Sequence, residues 1–415
     1  NPLNPASIIA GGYARTYFAT TDAGSTWQEM YVGNPGGTSQ VSMLVFHPRD
    51  TMTLFAGGLG FTGIDRSTDG GMTWENVLRD PENLRFEVAS NGSVAFHPGR
   101  PDTMYVIRNS NGVIYRSMNR GENWDSIGVI PGLVGTDRMR ALAICPTPDS
   151  SNVMLACGRR ATMWRSSDNG RTWVSTGYLL AGHPDTDGAQ IRWSPTQPGT
   201  VYAASQYSLL QNAVNAGLHK STDYGLTWTR IKFQDTSLYA LEVFPTKNGD
   251  EIFVGGAQIA LANPAIKGDS IVFRSVDGGA TWQDLSNVAW GSNEIEDTSA
   301  NIWGFAVTVV DGRARVLMAT EVGLYASDAV TSVAMSSHFP TDLPMRVRGR
   351  GIEVELDDAP ETALYVVADL LGRVVGRGSF TGSGIHHIDL SGYPPAPYLV
   401  RVIHADRAGA VLTTR

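Results

Sequence analysis

The sequence predicts an all-β chain: a seven-bladed β-propeller of four-stranded blades, followed by a small C-terminal Ig-like β-sandwich. Three observations predict this. The motif Ser-x-Asp-x-Gly-x-Thr-Trp recurs along the chain, with 47 to 55 residues between successive Trp residues. Short alternating apolar runs lie between the copies, bounded by Gly, Pro, Asn and Asp, whereas helical apolar stripes are scarce. The repeat stops near residue 335, where a different β pattern begins.

The motif, called the box from here on, is clearest in Ser67–Trp74. Six copies are well formed, although in the third an Asn stands at the Asp position. A seventh copy keeps Asp but has Val330 in place of Gly and Val333 in place of Trp. Seven copies in period predict seven blades. The residues at the Asp position are Asp22, Asp69, Asn119, Asp168, Asp223, Asp277 and Asp328.

The residue types of the box predict a structural turn. An Asp in a tight turn accepts hydrogen bonds from the backbone N–H groups that follow it, and a Ser or Thr two residues earlier adds another. The Gly allows a backbone conformation that a β-carbon hinders, and the Trp offers a large apolar surface to the neighbouring blade. We therefore expect the box to fix the blades and to supply no chemistry of its own.

Each unit also contains four short apolar runs. The first ends in a turn with Pro, as in Val45-Phe46-His47-Pro48, and the second follows that turn. The third enters the box and the fourth leaves from its Trp, which predicts a four-stranded antiparallel blade. The first unit begins only at its Pro turn. Its missing first strand is expected either from residues near 334–350 or from a segment upstream.

The boxes resemble the Asp-box (BNR) repeats of sialidases, xyloglucanase-type glycosidases, sortilin-like ectodomains and photosystem assembly factors. The resemblance covers about residues 1–335 and implies the propeller fold, but a shared fold does not fix a function. In sialidases an Arg-Ile-Pro segment is typical of the arginines that bind the substrate, and this chain lacks such a segment. Xyloglucanase-type enzymes use two tandem propellers around a cleft, whereas this chain has one.

Residues 336–345 read as a linker, and residues 346–415 read as a second domain of alternating strands. Three segments carry a further resemblance: Asp369–Val375, Ile388–Tyr393 and Tyr398–Val402. They are similar to the C-terminal sorting domain of the type IX secretion system of Bacteroidota. The resemblance implies the type IX machinery as a partner of residues 346–415. It also implies a place outside a Gram-negative cell, either secreted or on the outer-membrane surface.

Composition narrows the function classes. The net charge is −8, from 32 basic and 40 acidic residues without a basic stripe, so we expect no nucleic-acid partner. No apolar run is long enough to span a bilayer. The chain starts without Met or a signal segment, which indicates a processed chain or a fragment. We expect no metal and no cofactor, and we expect the two cysteines, Cys145 and Cys157, to be buried thiols rather than a disulfide.

Strand order predicts where a site would lie. The Pro turns and the boxes share one face of the propeller, so the face opposite the boxes carries the remaining loops, where binding groups usually lie. We call this the loop face. Its predicted ligand-binding residues are Arg138, Arg140, Asp185, Arg192, Trp290 and Trp303, and Gln190 lies among them. Its candidate catalytic carboxylates are Asp137, Asp187, Asp235 and Glu296.

Two functions remain open at this stage. The first is an exported or cell-surface binding or structural module for a protein or polysaccharide ligand, and this is the interpretation we favour from the sequence. The alternative is a glycoside hydrolase of the sialidase or xyloglucanase class, with two carboxylates about 5 to 9.5 Å apart on the loop face.

Overall fold

The computed structural model describes most of the chain, and it divides the chain into two compact units, Asn1–Ala334 and Met335–Arg415. The residues outside the description are 2–3, 5, 13, 34–38, 80–87, 89, 134–137, 160–161, 180–185, 208–215, 235, 247–248, 260–266, 287–301, 311–312, 321–323, 328–344, 349–350, 357–361, 370–373, 382–383, 391–397, 405–406 and 414–415.

The first unit is a seven-bladed β-propeller of antiparallel sheets, as predicted. Blades two to six have four strands each, and blades one and seven have three within the described residues. The strands are, blade by blade, β1 Ile8–Gly11, β2 Thr16–Thr20, β3 Gln28–Tyr31; β4 Gln40–His47, β5 Asp50–Leu59, β6 Gly63–Ser67, β7 Glu75–Arg79; β8 Val94–His97, β9 Arg100–Ile107, β10 Val113–Ser117, β11 Asp125–Val129; β12 Met139–Ile144, β13 Met154–Gly158, β14 Thr162–Ser166, β15 Val174–Tyr178; β16 Thr186–Trp193, β17 Val201–Tyr207, β18 Gly217–Ser221, β19 Thr229–Lys232; β20 Thr236–Thr246, β21 Gly249–Ile259, β22 Lys267–Ser275, β23 Gln283–Asp284; β24 Ile302–Val310, β25 Arg313–Thr320, β26 Leu324–Ser327. Two 3₁₀ turns, Asn91–Ser93 and Pro148–Ser150, precede β8 and β13.

The box of blade two shows how the turn is held. The Ser67 hydroxyl donates to Asp69 (2.8 Å) and accepts the Gly71 N–H (2.8 Å). The N–H and hydroxyl of Thr73 donate to the two Asp69 carboxylate oxygens (2.9 and 2.5 Å). The indole N–H of Trp74 donates to the Gly71 carbonyl (3.0 Å). Both carboxylate oxygens therefore serve the turn itself.

The same bonds recur in the boxes of blades one, four, five and six. In blade three, Asn119 keeps the bond from the backbone N–H of Asn123 (3.0 Å) and the bond from Ser117 (3.0 Å). An amide can thus replace the carboxylate without loss of the turn, so the acid at this position is used as a hydrogen-bond acceptor. The seventh copy, at Asp328, lies outside the described residues.

In blades two, three, five and six the box glycine also joins the blade to the one before it. Gly71 has a φ of +94°, and a Cβ there would lie 2.0 Å from the Tyr17 hydroxyl of blade one. Tyr17 in turn donates to the Gly71 carbonyl (3.2 Å) and packs edge-on against Trp74, with ring centroids 5.9 Å apart. A Cβ on Gly121 would likewise meet the Phe55 ring of blade two at 2.6 Å. Only glycine lets the blades approach this closely.

A looser contact at the equivalent position joins the last blade to the first. A Cβ on Gly24, in the box of blade one, would lie 4.0 Å from Cδ2 of Leu317, which belongs to the second strand of blade seven. Leu317 occupies in its blade the strand that Phe55 occupies in blade two. We call this contact the seam. The first and last blades are therefore in van der Waals contact at this point.

The chain before β1 has the geometry of a first-to-second-strand turn. The amino group of Asn1 donates to the Ser7 carbonyl (2.7 Å), as the Ser194 N–H of blade five donates to the Thr200 carbonyl (2.9 Å). Most of residues 334–350, one predicted source of the first strand, lie outside the description. Of those described, Met345–Arg348 pair within the second unit.

The core lies between the sheets as a series of interblade clusters. One typical cluster joins Phe55, Ile64 and Met104 from blades two and three. Cys145 and Cys157 are both buried and free, as predicted. Cys157 pairs with Ala141 across the ladder, so the two thiols are not opposed, and burial raises the pKa of Cys157 to about 12.

The second unit contains two antiparallel sheets. The three-stranded sheet has the order β27–β28–β31, and the four-stranded sheet has the order β30–β29–β32–β33. No helix in the described part of either unit is long and apolar enough to cross a bilayer. The strands are β27 Met345–Arg348, β28 Gly351–Leu356, β29 Thr362–Asp369, β30 Val374–Thr381, β31 Gly384–Asp389, β32 Tyr398–His404 and β33 Arg407–Thr413.

The first prediction tests the box glycine. Gly71→Ala should lower the free energy of unfolding by about 1–3 kcal/mol more than Gly177→Ala, because the new methyl group collides with Tyr17. Gly177 is the matched control: its φ is +100°, but no atom lies within 4 Å of its Cβ position. Urea unfolding of both variants measures the difference. Equal losses would mean that the cost comes from backbone conformation alone.

The second prediction concerns acid stability. Hydrogen bonds from Thr281 lower the pKa of Asp277 from 3.8 to about 2. A lowered pKa in the folded state stabilises the fold above pH 3.8, and this contribution disappears as the pH falls to about 2. The stability difference between the native chain and Asp277→Asn should therefore shrink between pH 4 and pH 2 in urea titrations.

Blade three supplies the reciprocal control for this prediction. Asn119→Asp places a carboxylate in an equivalent turn and should introduce a pH dependence of stability over the same range. A difference between Asp277→Asn and the native chain that stays constant from pH 4 to pH 2 would contradict the assignment.

Candidate functional site

A β-bulge recurs at the same place in five innermost strands. In β4, β12, β16, β20 and β24 one residue near the loop face is left without a partner on the second strand. Such bulges re-aim a side chain and are common beside active sites. Because the innermost strands surround the propeller axis, the bulges form a partial ring around the central channel. The bulged residues are Ser42, Arg140, Ala189, Tyr239 and Trp303.

Arg140 and Asp187 meet between blades four and five. An Nη2 atom of Arg140 lies 3.7 Å from Oδ2 of Asp187, and the Asp187 side chain is 9% exposed. Arg140 is the bulged residue of β12. Its carbonyl accepts hydrogen bonds from the hydroxyls of Ser90 (3.3 Å) and Ser93 (3.0 Å) in blade three. Three consecutive blades therefore hold this guanidinium–carboxylate pair in place.

Tyr239 and Trp303 meet between blades six and seven. Their ring centroids are 5.3 Å apart, with an angle of 50° between the ring planes. Trp303 is 48% exposed although it belongs to an innermost strand. An accessible aromatic surface of this kind suits the C–H face of a sugar ring, which is apolar.

Gln190 lies beside the bulge of blade five and reaches blade three. Its Oε1 atom is 3.2 Å from the Cβ position of Gly92, and blade four separates the two blades. The side chain must therefore cross the channel side of β12. It is 8% exposed, and its Oε1 accepts no hydrogen bond within the described residues. Ser42 Oγ is also buried and makes no hydrogen bond within the described residues. Arg140 Nε is buried as well and has no hydrogen-bond acceptor among those residues.

Of the predicted residues, the structure brings Arg140 and Asp187 together, whereas Trp303 lies on the innermost strand of blade seven and contacts Tyr239. Arg192 lies further along β16, toward the box face, and binds both carboxylate oxygens of Glu242 in blade six (3.0 Å from Nε). Arg138 lies on the loop face, where its carbonyl accepts the Arg159 N–H (2.8 Å). Five predicted residues lie outside the description: Asp137, Asp185, Asp235, Trp290 and Glu296.

Sequence reasoning missed Tyr239 and Ser42. Both lie in strands whose sequences alternate between apolar and polar residues. A one-residue bulge cannot be recognised from that pattern. Aligning the units on their Pro turns and boxes would have placed Tyr239 and Trp303 at equivalent positions. Within the described residues, no group of three His, Cys, Asp or Glu side chains is arranged to hold a metal ion.

Comparison with known proteins adds independent information. No family model matches the chain. A xyloglucanase from a Paenibacillus species is 26% identical over 247 residues, or 51% of this chain and 23% of that protein. Xyloglucanase Xgh74A of Acetivibrio thermocellus is 22% identical over 317 residues, or 70% of this chain and 32% of that protein. The chain thus spans about a quarter to a third of the length of these curated relatives.

Two solved structures share the fold. An ancestral GH74 enzyme aligns with 99% of this chain and 61% of its own, with a TM-score of 0.59 and 15% identity. YCF48 bound to D1 peptide aligns over 76% of this chain and 87% of its own, with a TM-score of 0.50 and 17% identity. At these identities the structures support the propeller fold alone.

The relatives correct one prediction. The favoured sequence interpretation, a binding or structural module without catalysis, is wrong: the curated relatives are xyloglucanases, and they favour the glycoside hydrolase alternative. The absence of an Arg-Ile-Pro segment spoke only against a sialidase. A single propeller does not exclude the enzyme class, because this chain matches only a part of the longer xyloglucanases.

Proposed function

We propose that this propeller is part of a glycoside hydrolase that acts on xyloglucan or a related β-glucan. The observation that carries the proposal is the similarity to xyloglucanases over as much as 70% of the chain. The loop face supports it, because it combines an acid, a guanidinium and an aromatic pair on neighbouring innermost strands. The acid can serve as one of the two carboxyl groups that glycoside hydrolysis needs, and the aromatic pair offers a surface for a sugar ring.

Asp187 is the carboxylate that we assign to the reaction. Hydrolysis of a glycosidic bond needs two carboxyl groups, one to donate a proton to the leaving oxygen and one to act as base or nucleophile. Arg140 compensates the charge of the Asp187 carboxylate, which suits the second role. The proton donor is then one of the other predicted acids of the loop face, namely Asp137, Asp235 or Glu296.

The third prediction follows from this assignment. Asp187→Asn preserves the shape of the side chain but removes its charge, and it should lower the rate of xyloglucan hydrolysis at least about 100-fold. The release of reducing ends from xyloglucan measures the rate. Asp284→Asn, on the outer strand of blade six, is the matched control and should keep the native rate.

Substitution of Asp137, Asp235 and Glu296 one at a time identifies the proton donor. The donor variant should recover activity on substrates with a good leaving group, such as aryl glycosides, because these need no protonation. A correctly folded chain that releases no reducing ends from xyloglucan or another β-glucan would contradict the proposed function.

We also propose that the boxes are Asp-box (BNR) repeats and that residues 346–415 are a type IX sorting domain with an Ig-like sandwich fold. The support for the sorting domain is the match in Asp369–Val375, Ile388–Tyr393 and Tyr398–Val402, together with two antiparallel sheets in one compact unit. The protein would then work outside a Gram-negative cell, where a polysaccharide hydrolase meets its substrate.

The fourth prediction tests export. Expressed behind a signal peptide in a bacterium with the type IX system, the full chain should appear in the medium or on the cell surface. A chain that ends at residue 345 should stay in the periplasm, and fractionation with immunoblotting distinguishes these locations. Equal export of both chains would contradict the sorting role.

A further inference from the structure

We infer that Asn109 and Ser93 of blade three are positioning residues: they hold the backbone of the bulge in β12 and thereby set the place of the Arg140 guanidinium beside Asp187. The inference rests on the proposed function in one respect, since it takes Asp187 to be the base or nucleophile of hydrolysis. Two uncharged residues of one blade would thus control the state of an acid two blades away.

The bulge is held from blade three by Asn109, which lies in the turn between β9 and β10. The Met139 N–H donates to the Asn109 carbonyl (2.9 Å), and the side-chain amide of Asn109 donates back to the Met139 carbonyl (2.9 Å). Asn109 is buried. Both backbone polar groups of the residue before Arg140 are therefore bound by one residue of the neighbouring blade, which fixes the place where the bulge begins.

The next carbonyl along β12, that of Arg140, is held by Ser93. The Ser93 hydroxyl donates to it at 3.0 Å, and the Ser90 hydroxyl donates to it at 3.3 Å. Ser93 is fully buried, and its N–H donates to the Ser90 carbonyl (2.9 Å) within the 3₁₀ turn before β8. Arg140 has no ladder partner on β13, so these side-chain bonds hold its backbone instead.

Blade two shows which part of this framework is general. There the N–H of Val41, the residue before the bulged Ser42, donates to the Gly12 carbonyl of blade one (2.9 Å). This is the bond that Asn109 accepts in blade three, but Gly12 has no side chain that could return it. The backbone bond therefore belongs to the propeller, whereas the side-chain bonds of Asn109 and Ser93 are added at a bulge that carries a charged residue.

The ion pair that this framework positions is sensitive to a small displacement. Arg140 Nη2 lies 3.7 Å from Asp187 Oδ2, and the Asp187 side chain is only 9% exposed, so little water screens the two charges. A guanidinium that moves away stabilises the carboxylate less, which raises the pKa of the acid. Loss of either side-chain bond to the bulge should therefore favour protonated Asp187.

The surroundings of Asp187 leave the guanidinium as the charge to vary. The Cys157 thiol of β13 is also close enough to interact with the pair, but burial raises its pKa to about 12, so it stays neutral in acid. On β17 the ladder partner of Asp187 is Gln206, which carries no charge. On β20 the carboxylate of Glu242 is paired with Arg192 (3.0 Å).

The test compares the pH profiles of kcat/KM for xyloglucan hydrolysis by variants of the full chain. Arg140→Gln should move the acid limb of the profile to higher pH. Ser93→Ala and Asn109→Ala should each move it in the same direction and lower the rate on the acid side about fivefold. Adding Ser93→Ala to Arg140→Gln should move the limb no further, because the serine acts through the arginine.

Ser67→Ala is the matched control. Ser67 is as buried as Ser93, and its hydroxyl also bonds to a backbone group, the Gly71 N–H (2.8 Å), but it lies in the box of blade two. Its substitution should lower stability in urea and leave the acid limb in place. Profiles of Ser93→Ala and Asn109→Ala that match the profile of Ser67→Ala would overturn the inference, as would a further shift in the double variant.

A readout without activity separates this inference from the proposed function. In a chain labelled with ¹³C at Asp, the carboxyl resonance of Asp187 is assigned by its loss in Asp187→Asn. Its titration midpoint should be higher in Ser93→Ala and Asn109→Ala than in the native chain or Ser67→Ala. That result supports the positioning role even when no xyloglucan is hydrolysed, which would refute only the proposed function. A midpoint that neither variant changes would overturn the inference in an active chain as well.

Discussion

The close contact between a box glycine and the preceding blade, seen in blades two, three, five and six, is the constraint on which this structure depends. A propeller has no single core, so each blade is held by its two neighbours through packing between their faces. The hydroxyl and carboxylate of the box set the turn, the glycine lets the blades approach, and the tryptophan covers the joint. The acids of the box accept the hydrogen bonds that hold the turn. Asn119 accepts the equivalent bonds in blade three, so this role needs no negative charge.

The chemistry that we propose is assigned to the opposite ends of the same strands. Because the boxes and Pro turns fix one face, the innermost strands can depart from regular pairing at the other face without loss of the blade. Five of them do so at the same ladder position, and the unpaired residues include Arg140, Tyr239 and Trp303. A rigid strand that bulges once positions a functional side chain more precisely than a loop would.

The blade count, the strand order and the location of Asp187, Arg140 and Trp303 on the loop face could be predicted from the sequence. Box spacing is a local signal, and strand parity follows from it. Tyr239 and Gln190 Oε1 acquire their importance from contacts with other blades, and Arg192 finds its partner Glu242 fifty residues away. No local pattern encodes such contacts. The choice of function failed for a different reason, since absent motifs of one enzyme class do not exclude another.

The seam between Gly24 and Leu317 has a consequence for how the molecule is assembled. It joins residues from the two ends of the first unit, whereas the box-glycine contacts of blades two, three, five and six link blades that are neighbours in sequence. Loop-closure entropy opposes contacts of such long separation, so we expect the blades to accumulate as an open arc and the ring to close last. We also expect the contact between the first and last blades to be the first to separate in partial unfolding.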